Sequence, residues 1–252
     1  MKQALILAGA ICLSTITTAQ EAIQPRRVHL GAYISPTMSW MKPTTGKSDD
    51  NIFEVQGNGA RLGFTYGLLA DFYFTENYAI ASGIQVNMTG GSILAERSGG
   101  STAEPSSVNS ADFTYHLSFL EIPLNVKMRT DPVGGLYIFG QAGVTAGVNI
   151  VRKATYDVNY NNSNGIGSKA SGENEKLKGT LATPPMMLQM NIGAGIEYPL
   201  TEKLSAYLAL FFNNGFVPDA TNPAKYKMPY DGAFKDGNTR LNNFALRIGI
   251  YF

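Results

Sequence analysis

Apolar and polar residues alternate with a period of two along most of the chain. The pattern is clearest at the C-terminus, where Leu246, Ile248 and Ile250 alternate with Arg247 and Gly249. Successive side chains of a strand point to opposite faces, so this alternation predicts strands with one apolar face. Such segments are frequent, and none keeps the 3.6-residue period of an amphipathic helix for long. The pattern predicts strands at 28–41, 61–74, 78–93, 113–130, 136–151, 187–200, 204–216 and 241–252.

Short and long connections alternate between these eight predicted strands. Short segments lie at 75–77, around Asp131 and Pro132, and at 201–203. The long connections are rich in Gly, Ser, Asn and Asp, and lie near 42–60, 94–112, 152–186 and 217–240. An up-and-down membrane barrel has this arrangement, with short periplasmic turns and longer extracellular loops.

The weaker face of the predicted strands carries charged and amide side chains. A water-soluble barrel would have to bury them while its apolar face met water, whereas a membrane barrel turns the apolar face to lipid. Side chains fill the interior of an eight-stranded barrel, and buried charges generally persist only when paired. We therefore predict an interior ion-pair network rather than a proton or ion path. Its members are Asp71, Glu121, Lys127, Arg129, Glu197 and Arg247.

Aromatic residues cluster at the ends of the predicted strands. Amphipathic rings favour the headgroup level of a membrane. The predicted girdle beside the short turns contains Phe72, Phe74, Tyr78, Tyr198 and Phe252. The opposite girdle would contain Trp40, Phe64, Phe113 and Phe216. The sequence thus favours an all-β fold, an eight-stranded antiparallel up-and-down transmembrane β-barrel.

The first residues have the pattern of a secretory signal. Lys2 precedes an apolar stretch from Ala4 to Ile16, and small residues end at Ala19. We expect a signal peptide at 1–19, a barrel domain at 20–252, and a location in the outer membrane of a Gram-negative bacterium. Cleavage would remove Lys2 and Cys12, leaving 19 Lys plus Arg against 19 Asp plus Glu and no cysteine. This balance does not favour nucleic-acid binding.

The fourth predicted strand reads FLEIPLNVK from Phe119 to Lys127. This sequence resembles the LEIPL strand of the PorT-like outer-membrane β-barrel family, and the final RIGIYF is similar to the last strand of its members. The resemblance covers nearly the whole mature chain. It implies the barrel architecture and no catalytic residue, and the family is named for a member implicated in protein secretion. Pro123 cannot donate to the sheet, so we expect it to shape the strand through a bulge or kink.

Candidate chemistry outside the barrel wall is sparse. His29 and His116 have no partner that the sequence can supply, so we interpret both as incidental surface positions rather than catalytic ones. Acidic segments at 49–51 and 231–236 do not match a calcium-loop spacing. No catalytic residue, cofactor or metal site is therefore expected. In the longest predicted loop, the residues expected to contact a partner are Arg152, Lys153, Tyr156 and Tyr160.

These observations favour a structural or interaction protein that acts through extracellular loops and is not an enzyme. Expected partners are outer-membrane lipid, the barrel-assembly machinery during insertion and an envelope protein, and we expect a monomer. A component of a protein secretion apparatus, a small-solute pore and an enzyme at the barrel rim remain alternatives.

Overall fold

The chain folds into antiparallel strands. A computed structural model describes residues 27–44, 46–47, 53–98, 108–162, 164–176, 185–216 and 239–252. These residues contain no helix that is long and apolar enough to cross a membrane. The strands are β1 (Val28–Pro43), β2 (Phe53–Gly57), β3 (Ala60–Tyr73), β4 (Tyr78–Arg97), β5 (Val108–Arg129), β6 (Tyr137–Asn161), β7 (Gly167–Lys176), β8 (Met186–Pro199), β9 (Ser205–Gly215) and β10 (Thr239–Tyr251).

Eight of these strands close into a ring. Its order is β1, β3, β4, β5, β6, β8, β9 and β10, and each strand pairs antiparallel with the next. The first and last strands pair from Gly31 opposite Tyr251 to Pro43 opposite Thr239. Closure leaves the ring without an edge, as a sheet in lipid requires. The predicted eight-stranded up-and-down barrel is confirmed.

The apolar face of the ring points outward. On β10, Leu246, Ile248 and Ile250 are 41%, 47% and 45% exposed, whereas the intervening Arg247 is 4% exposed. On β5 the outward apolar residues run from Leu120 to Met128. Such a segment matches the 9–11 residues that a tilted strand needs to span a bilayer. The outward side chains beyond Leu120 are polar, which places a membrane boundary near Ser118.

Three short connections lie at one end of the ring. The one between β5 and β6 is a hairpin in which Val133 and Leu136 exchange backbone hydrogen bonds of 2.8 and 3.1 Å. Its two central residues, Gly134 and Gly135, have φ of 62° and 83°. Glycine adopts these angles without strain, which explains the tight turn at this point.

The long connections at the other end contain more regular structure than the sequence predicted. β2 lies within the predicted loop 42–60 and pairs with the outer end of β4. β7 lies within the predicted loop 152–186 and pairs with β6. Strands β4, β5 and β6 also extend beyond the predicted strand ends at 93, 113 and 151. The loop prediction is wrong here. The outward residues of these extensions are mainly polar, so the extensions lack the strongly apolar face by which a lipid-exposed strand is recognised in the sequence.

Pro123 interrupts hydrogen bonding without a bulge. On its two sides Ser82 lies opposite Leu124 and Gln85 lies opposite Glu121, so the register is the same before and after the proline. The pairing gap between them corresponds to the amide hydrogen that proline lacks. The register shifts of the β5–β6 pairing lie instead between Ser118 and Phe119, near the membrane boundary, and between Val108 and Ser110, at the outer end of β5. The expected bulge is therefore displaced from Pro123 to positions farther out along β5.

The aromatic side chains beside the short turns are outward and exposed, as predicted. At the opposite end Trp40 packs on Phe212 and Phe244, with ring centroids 6.3 and 5.4 Å away. Phe113 does not belong to that girdle, because its side chain is buried on the inner face. The signal segment and the acidic segments 49–51 and 231–236 lie outside the described residues.

Candidate functional site

The half of the barrel interior nearest the short connections holds a charged cluster around Lys127. Its ammonium donates to Asp71 Oδ2 at 2.5 Å and also contacts the Glu197 carboxylate. Tyr251 Oη donates to the same Asp71 oxygen at 2.9 Å. Lys127, Asp71 and Glu197 project from β5, β3 and β8, so the cluster links separate parts of the ring. Arg129 Nη1 lies 4.0 Å from Glu197 Oε2, so two cations pair with the two buried carboxylates, as buried charge requires.

Arg129 and His29 close the cluster toward the short turns. The Arg129 guanidinium lies 4.4 Å from the Tyr73 ring centroid and 4.6 Å from that of Tyr137. His29 packs on Tyr73, with ring centroids 4.7 Å apart. The interpretation of His29 as an incidental surface residue is therefore wrong. The inward register of β1 places its ring against the mouth of the barrel.

Glu121 and Arg247 lie in a second group. The Glu121 carboxylate accepts hydrogen bonds from Gln85 and from Asn87 Nδ2, the latter at 2.8 Å. The Arg247 guanidinium lies over the rings of Phe211 and Tyr33, at 4.0 and 4.9 Å from their centroids. The ion pairs of the described residues do not include Glu121 or Arg247. The six predicted residues thus all face inward, but they divide into two groups rather than one ion-pair network.

Glycines on the inner face make room for these groups. Gly193 of β8 lies opposite Phe211 of β9, and a Cβ atom at Gly193 would lie 2.4 Å from the Phe211 ring. Gly195 leaves similar space for Phe139, whose ring would lie 2.7 Å from an added Cβ. The aromatic rings therefore lie across the glycines and fill the interior.

Outside the membrane boundary, five strands form one continuous sheet, which we call the external sheet. It consists of β2, β7 and the outer parts of β4, β5 and β6. On β5 it covers residues 108–118, on the order of 30 Å along the strand at 3.3 Å per residue. The inner face of the sheet is apolar and buried. Its larger members are Phe53, Val55, Ile93, Val108, Phe113, Tyr115, Tyr156 and Val158.

The outer face of the external sheet is polar and mainly acidic. Two rows of side chains cross it at right angles to the strands. The first row contains Glu54, Glu96, Ser110, Asn159 and Lys169 as successive cross-strand partners. In the second row Asp112 lies opposite Asp157. Lys169 Nζ pairs with Asp157 at 3.1 Å, and Lys47 lies opposite Glu54, so the four carboxylates of these rows face two lysines.

Burial raises the pKa of Asp112 above the ordinary aspartate value. The carboxylate of Asp157, directly opposite, acts in the same direction. Asn58 Nδ2 donates to Asp112 Oδ2 at 2.7 Å and acts against both effects by stabilising the charged form. The outer face thus keeps two like charges close together, at some cost in stability.

The residues predicted to make loop contacts do not lie together on this face. Tyr156 is 7% exposed and lies in the buried apolar cluster, and Tyr160 packs against the same cluster. Lys153 is exposed, whereas Arg152 is half-buried. The predicted aromatic contacts are therefore wrong in position, because 152–161 is a strand and its alternate side chains turn inward.

The network predicted from the sequence omits several interior partners. Tyr73 and Tyr251 contact the Lys127 cluster, and Gln85, Asn87 and Tyr33 complete the Glu121 group. The alternation of inward and outward residues does place them inside the barrel, since Tyr251 lies on the same face of β10 as Arg247. Which residues of different strands meet depends on the stagger of the ring, which one sequence does not reveal.

A comparison with protein families agrees with this architecture. Residues 18–217 match the sequence profile of the family described as outer membrane protein beta-barrel domain. The comparison with curated proteins gave no match.

Among solved structures, Neisserial surface protein A is 10% identical, with a TM-score of 0.40 over 89% of this chain and 97% of that one. Ail, the attachment invasion locus protein of Yersinia pestis, is 13% identical, with a TM-score of 0.35 over 89% and 98%. OprG from Pseudomonas aeruginosa is 13% identical, with a TM-score of 0.37 over 88% and 96%. These likenesses concern the fold alone. Since the family profile covers more than half of the sequence, the chain belongs to the outer membrane protein beta-barrel domain family.

Proposed function

We propose that this outer-membrane barrel is a non-enzymatic interaction protein that binds an envelope or extracellular protein through the outer face of its external sheet. The observation that carries the proposal is the construction of that sheet. Its inner face packs in an apolar cluster that also includes Met41 of β1 and Leu241 of β10, so the outer face is held rigidly above the membrane. Rigid surfaces lose less entropy on binding than flexible loops.

The charges of the outer face indicate the chemistry of the partner. The four carboxylates of Glu54, Glu96, Asp112 and Asp157 outnumber the two lysines beside them, Lys47 and Lys169. A basic partner surface would complement them, and such complementarity chiefly raises the association rate and makes it sensitive to salt. The partner is therefore expected to bind faster at low ionic strength.

Photo-crosslinking tests this proposal in cells. A photoreactive residue at Glu54 or Asn159, both exposed on the outer face, should capture the same protein. The matched positions are Leu124, which faces lipid, and Glu202, in a short turn at the opposite end. The captured protein, once purified, should bind the intact barrel, and Glu54→Lys with Glu96→Lys should slow its association. Capture of lipid alone, or of unrelated proteins at the two positions, would contradict the proposal.

The remaining assignments extend the same proposal. The chain is exported by a signal peptide cleaved near Ala19, inserted by the barrel-assembly machinery of a Gram-negative bacterium, and monomeric. The mass of the mature protein and its apparent size in detergent test these points. The proposed role is non-enzymatic, and neither His29 nor His116 takes part in it. Unchanged lipid and protease profiles of a His29→Ala, His116→Ala double variant would agree with that role.

A role in a secretion apparatus is the second candidate. The segment Leu120–Leu124, with Glu121 inside and its neighbours outward, carries the resemblance to PorT-like proteins. A component of such a machine should copurify with other envelope proteins after crosslinking. Retained secretion in a strain lacking this chain would exclude that role and leave the external-sheet proposal standing.

A further inference from the structure

A group of basic residues lies at the outer membrane boundary, away from the acidic rows. On the outward face of β5, His116 is the next ionisable residue beyond Leu120. Its cross-strand partner on β6 is Lys153, which is exposed. Its partner on β4 is Gly90. His116 and Lys153 therefore lie side by side where the apolar wall ends.

Arg61 joins this pair by lying across Gly90. A Cβ atom at Gly90 would lie 3.2 Å from Arg61 Cδ, so the missing side chain provides the space that the arginine occupies. The arginine thus crosses β4 from β3 toward His116. Three basic groups from β3, β5 and β6 therefore converge on one stretch of the outward surface.

A cavity of about 150 Å³ lies beneath Arg61 and His116. Leu62, Met88 and Val151 form its apolar wall. These three residues lie at the edge of the lipid-facing band, and Leu62 is 82% exposed. The cavity is thus basic on the side facing the external medium and apolar on the side facing the bilayer.

The basic groups are not neutralised by the described parts of the protein. The ion pairs found there involve Lys127, Arg129 and Lys169, and none involves Arg61, His116 or Lys153. Nδ1 of His116 is buried and has no hydrogen-bond partner among those residues. The nearest outward carboxylates along β5 and β6, Asp112 and Asp157, lie four positions farther out and bind Asn58 and Lys169.

We propose that this cavity binds the phosphate group of a lipid headgroup in the outer leaflet, with Arg61, His116 and Lys153 as its ligands. Arginine and lysine form short, charge-assisted hydrogen bonds to phosphate. Basic residues at a membrane surface attract anionic headgroups, and the apolar wall accepts the first methylenes of an acyl chain. The proposal does not depend on the protein partner proposed above, since it concerns a different face and a different ligand.

The test uses the purified full chain and a defined lipid. Diphosphorylated lipid A should remain bound to the barrel in native mass spectrometry, and the same lipid without phosphates should not. The Arg61→Gln, His116→Gln double variant should lower the apparent affinity about 30-fold, from the effect of two basic residues near a membrane surface. Lys203→Gln removes one exposed positive charge from a short turn at the opposite end and should change the affinity less than twofold.

Three results would overturn the proposal. They are equal binding by the double variant and the unaltered chain, equal binding of the dephosphorylated lipid, and displacement of lipid A by equimolar inorganic phosphate. The last result would indicate a site for a free anion. A heat-modifiable gel shift reports the folding of each variant. If the double variant does not fold, Lys153→Gln is tested in its place, and its apparent affinity for lipid A should fall about fivefold.

Discussion

Lys127 and Asp71 lie on strands that are separated in the ring by β4, and their side chains meet at 2.5 Å inside the barrel. Both side chains are fully buried. Neighbouring strands are joined by backbone hydrogen bonds, whereas this contact joins strands that do not pair. It therefore fixes how the ring curves around its interior, and its loss should affect the whole barrel.

Replacing Lys127 by methionine should strongly destabilise the barrel. The substitution keeps an unbranched side chain but leaves Asp71 and Glu197 buried without their cation. Breaking a buried ion pair in this way typically costs about 3–5 kcal/mol. The free energy of unfolding, measured by urea titration of the folded barrel in lipid, should fall by that amount. Lys203→Met, in an exposed turn, is the matched control and should have almost no effect.

Arg247→Met provides a contrast within the same interior. Methionine can still pack between Phe211 and Tyr33, and no ion pair of the described residues is broken. The expected loss is about 2 kcal/mol, the value of a desolvated cation–π contact. A double Lys127→Met, Arg247→Met variant whose loss departs from the sum of the two single losses would show that the two interior groups act as one network after all.

Gly193→Ala should destabilise the barrel by about 1–3 kcal/mol, because overpacking forces neighbouring groups to move. The new Cβ would lie 2.4 Å from the Phe211 ring. Combining it with Phe211→Leu should recover part of the loss relative to the sum of the two single changes, a coupling that a double-mutant cycle measures. Gly140→Ala is the control, since its Cβ would meet only one atom, at 4.0 Å. An additive cycle would contradict the proposed contact.

The period of two was sufficient to predict the wall of the barrel. Ile248 and Arg247 were assigned to opposite faces from the sequence alone, because lipid and interior impose opposite chemistry on alternate residues. The external sheet was missed because a strand with one face in water has a weaker apolar signal, and Tyr156 was therefore assigned to a loop surface. The sequence also could not predict that Glu121 and Lys127 lie in different groups, because this depends on which residues face each other across the ring.

Asp112→Asn should stabilise the external sheet at neutral pH. The raised pKa of Asp112 means that the folded sheet favours the protonated carboxyl, mainly because of burial and then because of Asp157. The corresponding stability is present below the ordinary pKa of about 4 and is lost as the pH rises through the raised value. Hydrogen-exchange protection of the outer parts of β5 and β6 should therefore increase on acidification in the unaltered chain and change less in Asp112→Asn. Identical pH profiles would contradict this account.

A charge placed on the outward face should be tolerated above the membrane boundary and not within it. Ile248 faces outward in the apolar band of β10, whereas Asn159 faces outward on the external sheet. Arginine at the bilayer midplane of a barrel costs about 2–4 kcal/mol, and the cost falls to about 0–1 kcal/mol near the interface. Ile248→Arg should therefore lower the free energy of unfolding in lipid by that larger amount, and Asn159→Arg should leave it nearly unchanged. Ile248→Leu controls for the loss of the original side chain. Equal stability of Ile248→Arg and the unaltered chain would show that this face does not meet hydrocarbon, and the orientation of every strand in the wall would then have to be reversed.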